Sequence, residues 1–347
     1  MSRVELPQPY LLFMGDATEP GFAKTALGLK DWAPERCLGE CHIEGGTVTA
    51  GLAELTVHQA HAQGARALLI GVASPGGALL PNWVPTLVAA LEAGLDLISG
   101  QHTPLADVPE LAAAAARTGR RLFDVRTPPK GLPIANGRRR GGRRLLTVGT
   151  DCALGKKYTA LAIARAMRAR GIDADFRATG QTGIMIAGSG IPIDAVVSDF
   201  VAGAAEALSP ANHPDHWDVI EGQGSLFHFA YAGVSLGLLH GSQPDVLVLC
   251  HEAGRTRVIG QPHYALPTLA ETMEMNLALA RRVNPWVRCA AVSLNTSHLD
   301  DAAARQAIRT VSDDLGLPCA DPLRHLAQFD DVVDACLRAV PQPVDTL

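Results

Sequence analysis

Gly149-Thr150-Asp151-Cys152-Ala153-Leu154-Gly155-Lys156-Lys157 is the stretch that decides how this chain is read. An apolar run, Leu145 to Val148, precedes it, and a helical pattern with Leu161, Ala164 and Met167 on one face follows. Strand, glycine-rich turn, Gly-Lys and helix start together make a phosphate-binding loop. Backbone N–H groups and the helix N-terminus face a polyphosphate there, and the lysine adds a mobile cation. The usual spacing puts four residues between the first glycine and the Gly-Lys pair, followed by Ser or Thr. Here five residues intervene and Lys157 stands at the hydroxyl position. The residues expected to hold phosphate are Thr150, Asp151, Cys152, Ala153, Leu154, Gly155, Lys156, Lys157 and Tyr158. Loss of the hydroxyl puts magnesium binding and ATP hydrolysis in question.

Working outward, strands are expected at 145–148, 174–177, 217–220, 245–250, 287–294 and 317–320. Helices fit 156–170, 199–208, 266–282, 300–314 and 330–339. The loop thus opens a P-loop-type parallel α/β domain over 145–347. Residues 1–125 show the same rhythm, with strands at 10–14, 67–72, 95–99 and 121–125 and helices at 55–63, 84–93 and 108–118, which predicts a Rossmann-like domain. Between them, 126–144 carries three prolines and four glycines and reads as a linker. Its arginines, Arg138-Arg139-Arg140 with Arg143 and Arg144, read as a solvated basic connector.

At 347 residues, 47% apolar and 19% charged, the chain fits a folded two-domain protein. A net charge of −5 argues against a nucleic-acid partner. Seven dispersed cysteines read as reduced thiols of a cytoplasmic protein. Cys37, Cys41 and His42 lack a second ligand pair, so no metal is expected. No stretch reaches membrane-spanning length, and Met1 to Pro9 has no secretory pattern. The expected partner is a small molecule, within a homo-oligomer such as a dimer or tetramer.

Ligands of parallel α/β sheets bind beyond the carboxyl ends of the strands, so those turns supply the candidates. After 174–177 come Arg177, Thr179, Gln181 and Thr182, with Arg177 suited to clamp a carboxylate or phosphate. After 217–220, Glu221 and His228 offer a general base. After 245–250, Arg255 and Arg257 suit an anionic substrate, while Cys250 reads as core. Asn295 ends the next strand and could read a nucleobase edge or cap a helix. In the first domain Ser74, Gly76 and His102 occupy equivalent strand ends.

These turns resemble dethiobiotin synthetase and its nucleotide-binding relatives. The five-spaced Gly-Thr-Asp loop matches Gly149-Thr150-Asp151 through Gly155-Lys156, and Glu221-Gly222-Gln223-Gly224 echoes that family's Glu-Gly-Ala-Gly turn. A closer resemblance covers nearly the whole chain. It rests on Tyr10-Leu-Leu-Phe-Met-Gly-Asp, the Asp151-Cys152 loop, Asp175-Phe-Arg-Ala-Thr-Gly-Gln-Thr-Gly-Ile and Trp217-Asp-Val-Ile-Glu-Gly-Gln-Gly-Ser-Leu-Phe-His. These are similar to a two-domain bacterial family once classed as a domain of unknown function, which includes the DgcN-like D-glutamate N-acetyltransferases. The resemblance implies acetyl transfer from acetyl-CoA to the amine of D-glutamate.

On that footing the loop would grip the diphosphate of coenzyme A without cleaving it. Glu221 or His228 would act as base, and Arg177, Arg255 and Arg257 would hold the substrate carboxylates. The alternative, from the first resemblance, is an ATP-dependent carboxylate ligase or kinase. A nicotinamide enzyme is not expected, since Gly15-Asp16-Ala17-Thr18-Glu19-Pro20 lacks Gly-x-Gly-x-x-Gly. A nucleotide-dependent regulator or scaffold is the non-catalytic reading.

Overall fold

Strands buried on both faces read as unbroken apolar runs, and the first long one, Tyr10–Gly15, is buried at every residue. A computed structural model describes residues 4–74, 77–324 and 327–340 of the chain. The elements begin β1 (Val4–Glu5), β2 (Tyr10–Gly15), α1 (Lys24–Trp32), β3 (Cys37–His42) and α2 (Val57–Ala62). Then come β4 (Ala67–Ile70), α3 (Val84–Glu92), β5 (Asp96–Ser99), α4 (Pro109–Thr118) and β6 (Leu122–Asp124). Five of these strands form one parallel sheet in the order β3-β2-β4-β5-β6.

The loop-bearing part follows with β7 (Arg143–Gly149), α5 (Lys156–Ala169), β8 (Ala174–Arg177), α6 (Gln181–Ala187), β9 (Ser189–Gly190), α7 (Val201–Leu208) and β10 (Trp217–Ile220). After these come α8 (Ala232–Ser242), β11 (Val246–Glu252), β12 (Arg257–Val258), β13 (Gln261–Ala265), α9 (Leu269–Ala280), β14 (Arg288–Asn295), α10 (Asp301–Leu315), β15 (Cys319–Ala320) and α11 (Gln328–Arg338). Its sheet is parallel, in the order β15-β14-β11-β7-β10-β8. Leu145, Val219, Val246 and Val248 of the sheet pack with Ile163 and Met167 of α5 in its core. Because β7 lies centrally, the loop that follows it has the ends of β10 and β11 on either side.

The chain divides into two units. One runs to Pro129 and regains Gly180–Ala195; the other takes Lys130–Thr179 and everything from Val196. The turn read as a functional loop after strand 174–177 is therefore split. Its second half forms α6, which belongs to the N-terminal unit: Thr182 Oγ1 lies 3.3 Å from Thr25 Oγ1, the Tyr10 hydroxyl donates to the Met185 carbonyl (3.4 Å), and β9 pairs with β1.

The arginine-rich connector is not solvated as a whole. Arg140 donates to the Ser209 and Gly241 carbonyls (2.9 and 2.8 Å) and lies 3.6 Å from Glu206. Glu206 in turn accepts from the Asn136 and Gly137 N–H groups, both at 3.0 Å. Arg144 is buried and donates to the Gly141 carbonyl (2.8 Å), and Arg139 pairs with Asp245 (3.1 Å). The reason is local: the ends of α7 and α8 present carbonyls that planar guanidinium groups satisfy. Burial pushes Arg140 down to about 10.

Candidate functional site

The loop leaves β7 at Gly149 and reaches α5 through two left-handed residues, Ala153 (φ 53°) and Gly155 (φ 103°). Glycine adopts that conformation freely, whereas alanine is held there at a cost of about 1–2 kcal/mol. Lys156 is buried, and its ammonium donates to the Asp151 carbonyl at 2.6 Å, so the cation sits inside the ring of loop backbone. Burial pushes it below the ordinary lysine range, opposed by the neighbouring Cys250, Cys152, Asp151 and Glu221. Lys157, at the expected hydroxyl position, places its ammonium 4.4 Å from the centre of the Tyr158 ring. Thr150 Oγ1 lies 2.8 Å from His251 Nδ1, and burial together with Arg255 holds His251 below the usual imidazole range.

Around the loop, the ends of the neighbouring strands are tied together. Thr147 Oγ1 of β7 accepts the Gly222 N–H at 2.9 Å, and a Cβ on Gly222 would stand 1.7 Å from the Thr147 carbonyl oxygen. Glu221 is buried; its carboxylate accepts the Thr179 N–H at 2.9 Å, while the Thr179 hydroxyl donates to the Glu221 carbonyl at 2.7 Å. Gln223 Nε2 donates to Thr179 Oγ1 at 2.9 Å. Glu221 and Thr179 thus brace the ends of β8 and β10.

Arg177 is not an open clamp. Its Nε donates to Asp218 at 2.5 Å and its Nη2 lies 3.1 Å from Asp175, so two carboxylates of adjoining strands already hold the guanidinium. Arg255 pairs with Glu252 (2.5 Å) and donates to the Cys152 carbonyl (2.9 Å), fastening the end of β11 to the loop. Arg257 is exposed and forms no ion pair among the described residues. Asn295 accepts the Ser297 N–H at 3.0 Å and donates to Glu252 at 3.5 Å, the pattern of a turn cap. Cys250 is buried and pushed up to about 11 by burial, as a core thiol is.

Sequence reasoning did not see that His228 folds back onto Asp151. His228 is buried, with Nε2 at 4.0 Å from Asp151 Oδ1, and one donor atom each of Asp151, Cys152 and His228 lie within 4.8 Å of one another. The His228 ring stacks on Phe229 (centroids 4.6 Å apart) and contacts Tyr231 (4.5 Å), and Phe229 stacks on Tyr264 (4.6 Å). The available signal was Phe227-His228-Phe229-Ala230-Tyr231, a density of rings that a surface turn does not require.

Ser74, His102, Gln181 and Thr182 belong to the N-terminal unit. There Ser74, Gln101, His102, Gln181 and Thr25 line a cavity of about 220 Å³ at the ends of the central strands. Gln101 Nε2 donates to the Val72 carbonyl at 2.6 Å. Among the described residues Gln181 Oε1 has no hydrogen-bond partner. Gly76 lies outside the described residues.

A parallel sheet with a Gly-Lys loop at its central strand defines a P-loop α/β protein, and the N-terminal sheet adds a Rossmann-like unit. Residues 133–331 match the P-loop domain, and 43–128 the Rossmann-like domain, of the domain of unknown function DUF1611. The chain belongs to that family. A protein of Tritonibacter scottomollicae named D-glutamate N-acetyltransferase is 51% identical over 317 residues, spanning 91% of this chain and 95% of that one. One of the same name from a Pseudoalteromonas species is 46% identical over 321 residues, spanning 92% and 97%. A crystal structure of a DUF1611 family protein from Anabaena variabilis matches at a TM-score of 0.82 with 35% identity, over 95% of this chain and 99% of that one.

Proposed function

We propose that this chain is a D-glutamate N-acetyltransferase that moves the acetyl group of acetyl-CoA to the amine of D-glutamate. The observation that carries the reading is the near full-length identity to two proteins of that name. The loop supports it. Buried Lys156 and the N-terminus of α5 suit a diphosphate that is held and not cleaved, and Lys157 takes the place of the hydroxyl that would hold magnesium. Coenzyme A brings such a diphosphate. Arg257, exposed and without an ion pair among the described residues, suits a substrate carboxylate better than Arg177 or Arg255, whose charges are already matched.

Among the described residues no helix is long and apolar enough to cross a membrane. All seven cysteines are free thiols, which supports a cytoplasmic enzyme, and we read its working form as a homo-oligomer. The test is release of free thiol from acetyl-CoA with a panel of D- and L-amino acids, with and without magnesium. Thiol release matched by N-acetyl-D-glutamate, indifferent to magnesium, is the expected result. Magnesium-dependent ATP turnover with D-glutamate and no use of acetyl-CoA would instead mark a ligase or kinase.

A further inference from the structure

The side chain of Asp151 is wholly buried, and its two oxygens are treated differently. Oδ2 accepts the Ile259 N–H at 2.8 Å and lies 3.4 Å from Arg255 Nη1. Oδ1, among the described residues, has no hydrogen-bond partner. A buried carboxylate oxygen without a donor is costly, so its persistence in a loop of this kind points to a donor that arrives with a ligand. The neighbouring Cys152 is partly exposed and Ala153 exposed, so the loop backbone beside Asp151 reaches the surface.

The surroundings select the chemistry of that donor. A phosphate is repelled by a carboxylate, so the Asp151 side of the loop is not where a diphosphate lies. A metal ion would need a lone pair on His228 Nε2, with the other ring nitrogen giving its N–H away. Here Nδ1 accepts the Ala230 N–H at 3.1 Å, so the neutral ring carries its proton on Nε2, the atom facing Asp151. Burial pushes the Cys152 thiol above its ordinary range, away from the thiolate that a metal would bind. An organic ammonium remains, a compact cation with N–H groups for Oδ1.

We propose that Asp151 Oδ1 receives the α-ammonium group of the amino-acid substrate and takes a proton from it during acetyl transfer. This rests on the transferase reading above. The amine nitrogen forms the new bond to the thioester carbonyl carbon, and the carbon–sulfur bond breaks. Of the two protons that the ammonium must lose, one passes to Asp151 Oδ1 and on to water, and the other goes to the departing sulfur to give the coenzyme A thiol. His228, read from the sequence as a base, keeps a donor toward the same space.

The test pairs Asp151→Asn with the full-length wild type. In the variant kcat/KM for D-glutamate should fall by roughly 10²–10⁴, the range for a lost general base and charged contact, while the Kd of coenzyme A by calorimetry stays within about threefold. In the wild type, glutarate, which has both carboxylates and no amine, should bind at least about tenfold more weakly than D-glutamate. That difference should vanish in the variant. Asp151→Ser serves where circular dichroism shows that the asparagine variant does not fold. Equal weakening of coenzyme A and D-glutamate would make Asp151 a loop-shaping residue and overturn the proposal. So would near-wild-type activity, equal binding of glutarate, or a stoichiometric metal whose chelation abolishes turnover. If the wild type makes no N-acetyl-D-glutamate, the transferase reading itself fails and this inference with it.

Discussion

Replacing Gly222 by alanine tests whether the turn after β10 and the strand before the loop are as closely joined as they look. The added Cβ would stand 1.7 Å from the Thr147 carbonyl oxygen, 2.8 Å from its carbon and 3.1 Å from Lys156 Cδ. Ordinary contact begins at 3.4 Å, so the backbone oxygen must retreat by 3.4 − 1.7 = 1.7 Å. No rotamer change supplies that, because the obstacle is main chain of β7. The hydrogen bond from Gly222 N–H to Thr147 Oγ1 (2.9 Å) would go with it. Overpacking costs about 1–3 kcal/mol, and a buried polar group left unpaired costs about 1–3 kcal/mol more. About 2–6 kcal/mol is expected, a fall in Tm of at least roughly 4 °C for a unit of this size. Gly233, in α8, has nothing within 4 Å of its added Cβ and is the control. Gly233→Ala should leave Tm unchanged or raise it slightly, by about 0.4–1 kcal/mol of stability. Thermal unfolding followed by circular dichroism reads both. A Gly222→Ala protein melting within about 2 °C of wild type, below the least shift that 1 kcal/mol would give, would refute the close approach.

Lys156→Ala should raise KM for acetyl-CoA by roughly 10–100-fold, the worth of a charged hydrogen bond, with a much smaller change for D-glutamate; steady-state kinetics on each substrate checks it. Arg140→Ala leaves Glu206 without its cation and should cost about 3–5 kcal/mol in urea unfolding, whereas a solvated basic arm would lose almost nothing. His251 is held below its ordinary 6.5 by burial, so the unfolded chain binds the more protons between its folded value and 6.5. Its contribution is complete above pH 6.5 and is lost as pH falls through the folded value, and His251→Asn should flatten the acid side of the stability curve.

Most strands of the two large sheets were legible because parallel strands buried on two faces spell out continuous apolar runs, as Val246 to Cys250 do. The helix α1, the short strands β1, β9, β12 and β13, and β3, α8 and α6 were not. β3 carries Glu40 in its buried run, a residue that spoils an apolar pattern but is bonded there to the Ala50 N–H at 2.7 Å. α8 has glycines at 233, 237 and 241 and no polar face, so neither propensity nor periodicity marks it. Its logic is tertiary: a Cβ on Gly237 would stand 2.5 Å from Val201 Cγ1 and one on Gly241 2.1 Å from the Ala202 carbonyl oxygen, so these two glycines let α8 lie against α7. α6 was read as part of a binding turn because Gln181, Thr182 and Gly183 look like exposed loop chemistry, and only the fold shows where they go. The phosphate loop and the residue types beside it were legible in the same way. The pairing of Arg177 with Asp218 and the approach of His228 to Asp151 were not, since both depend on which strand lies beside which.

The return of residues 180–195 to the N-terminal unit bears on the order in which the protein can be made. When the chain as far as Pro129 has left the ribosome, β1 still lacks β9, and α1 still lacks the helix that lies against it. Those pieces emerge only after β7, the phosphate loop, α5 and β8 have been synthesised. The first unit can therefore be completed only after the opening stretch of the second, Lys130–Thr179, has been made, and neither unit is encoded as an uninterrupted piece of the gene.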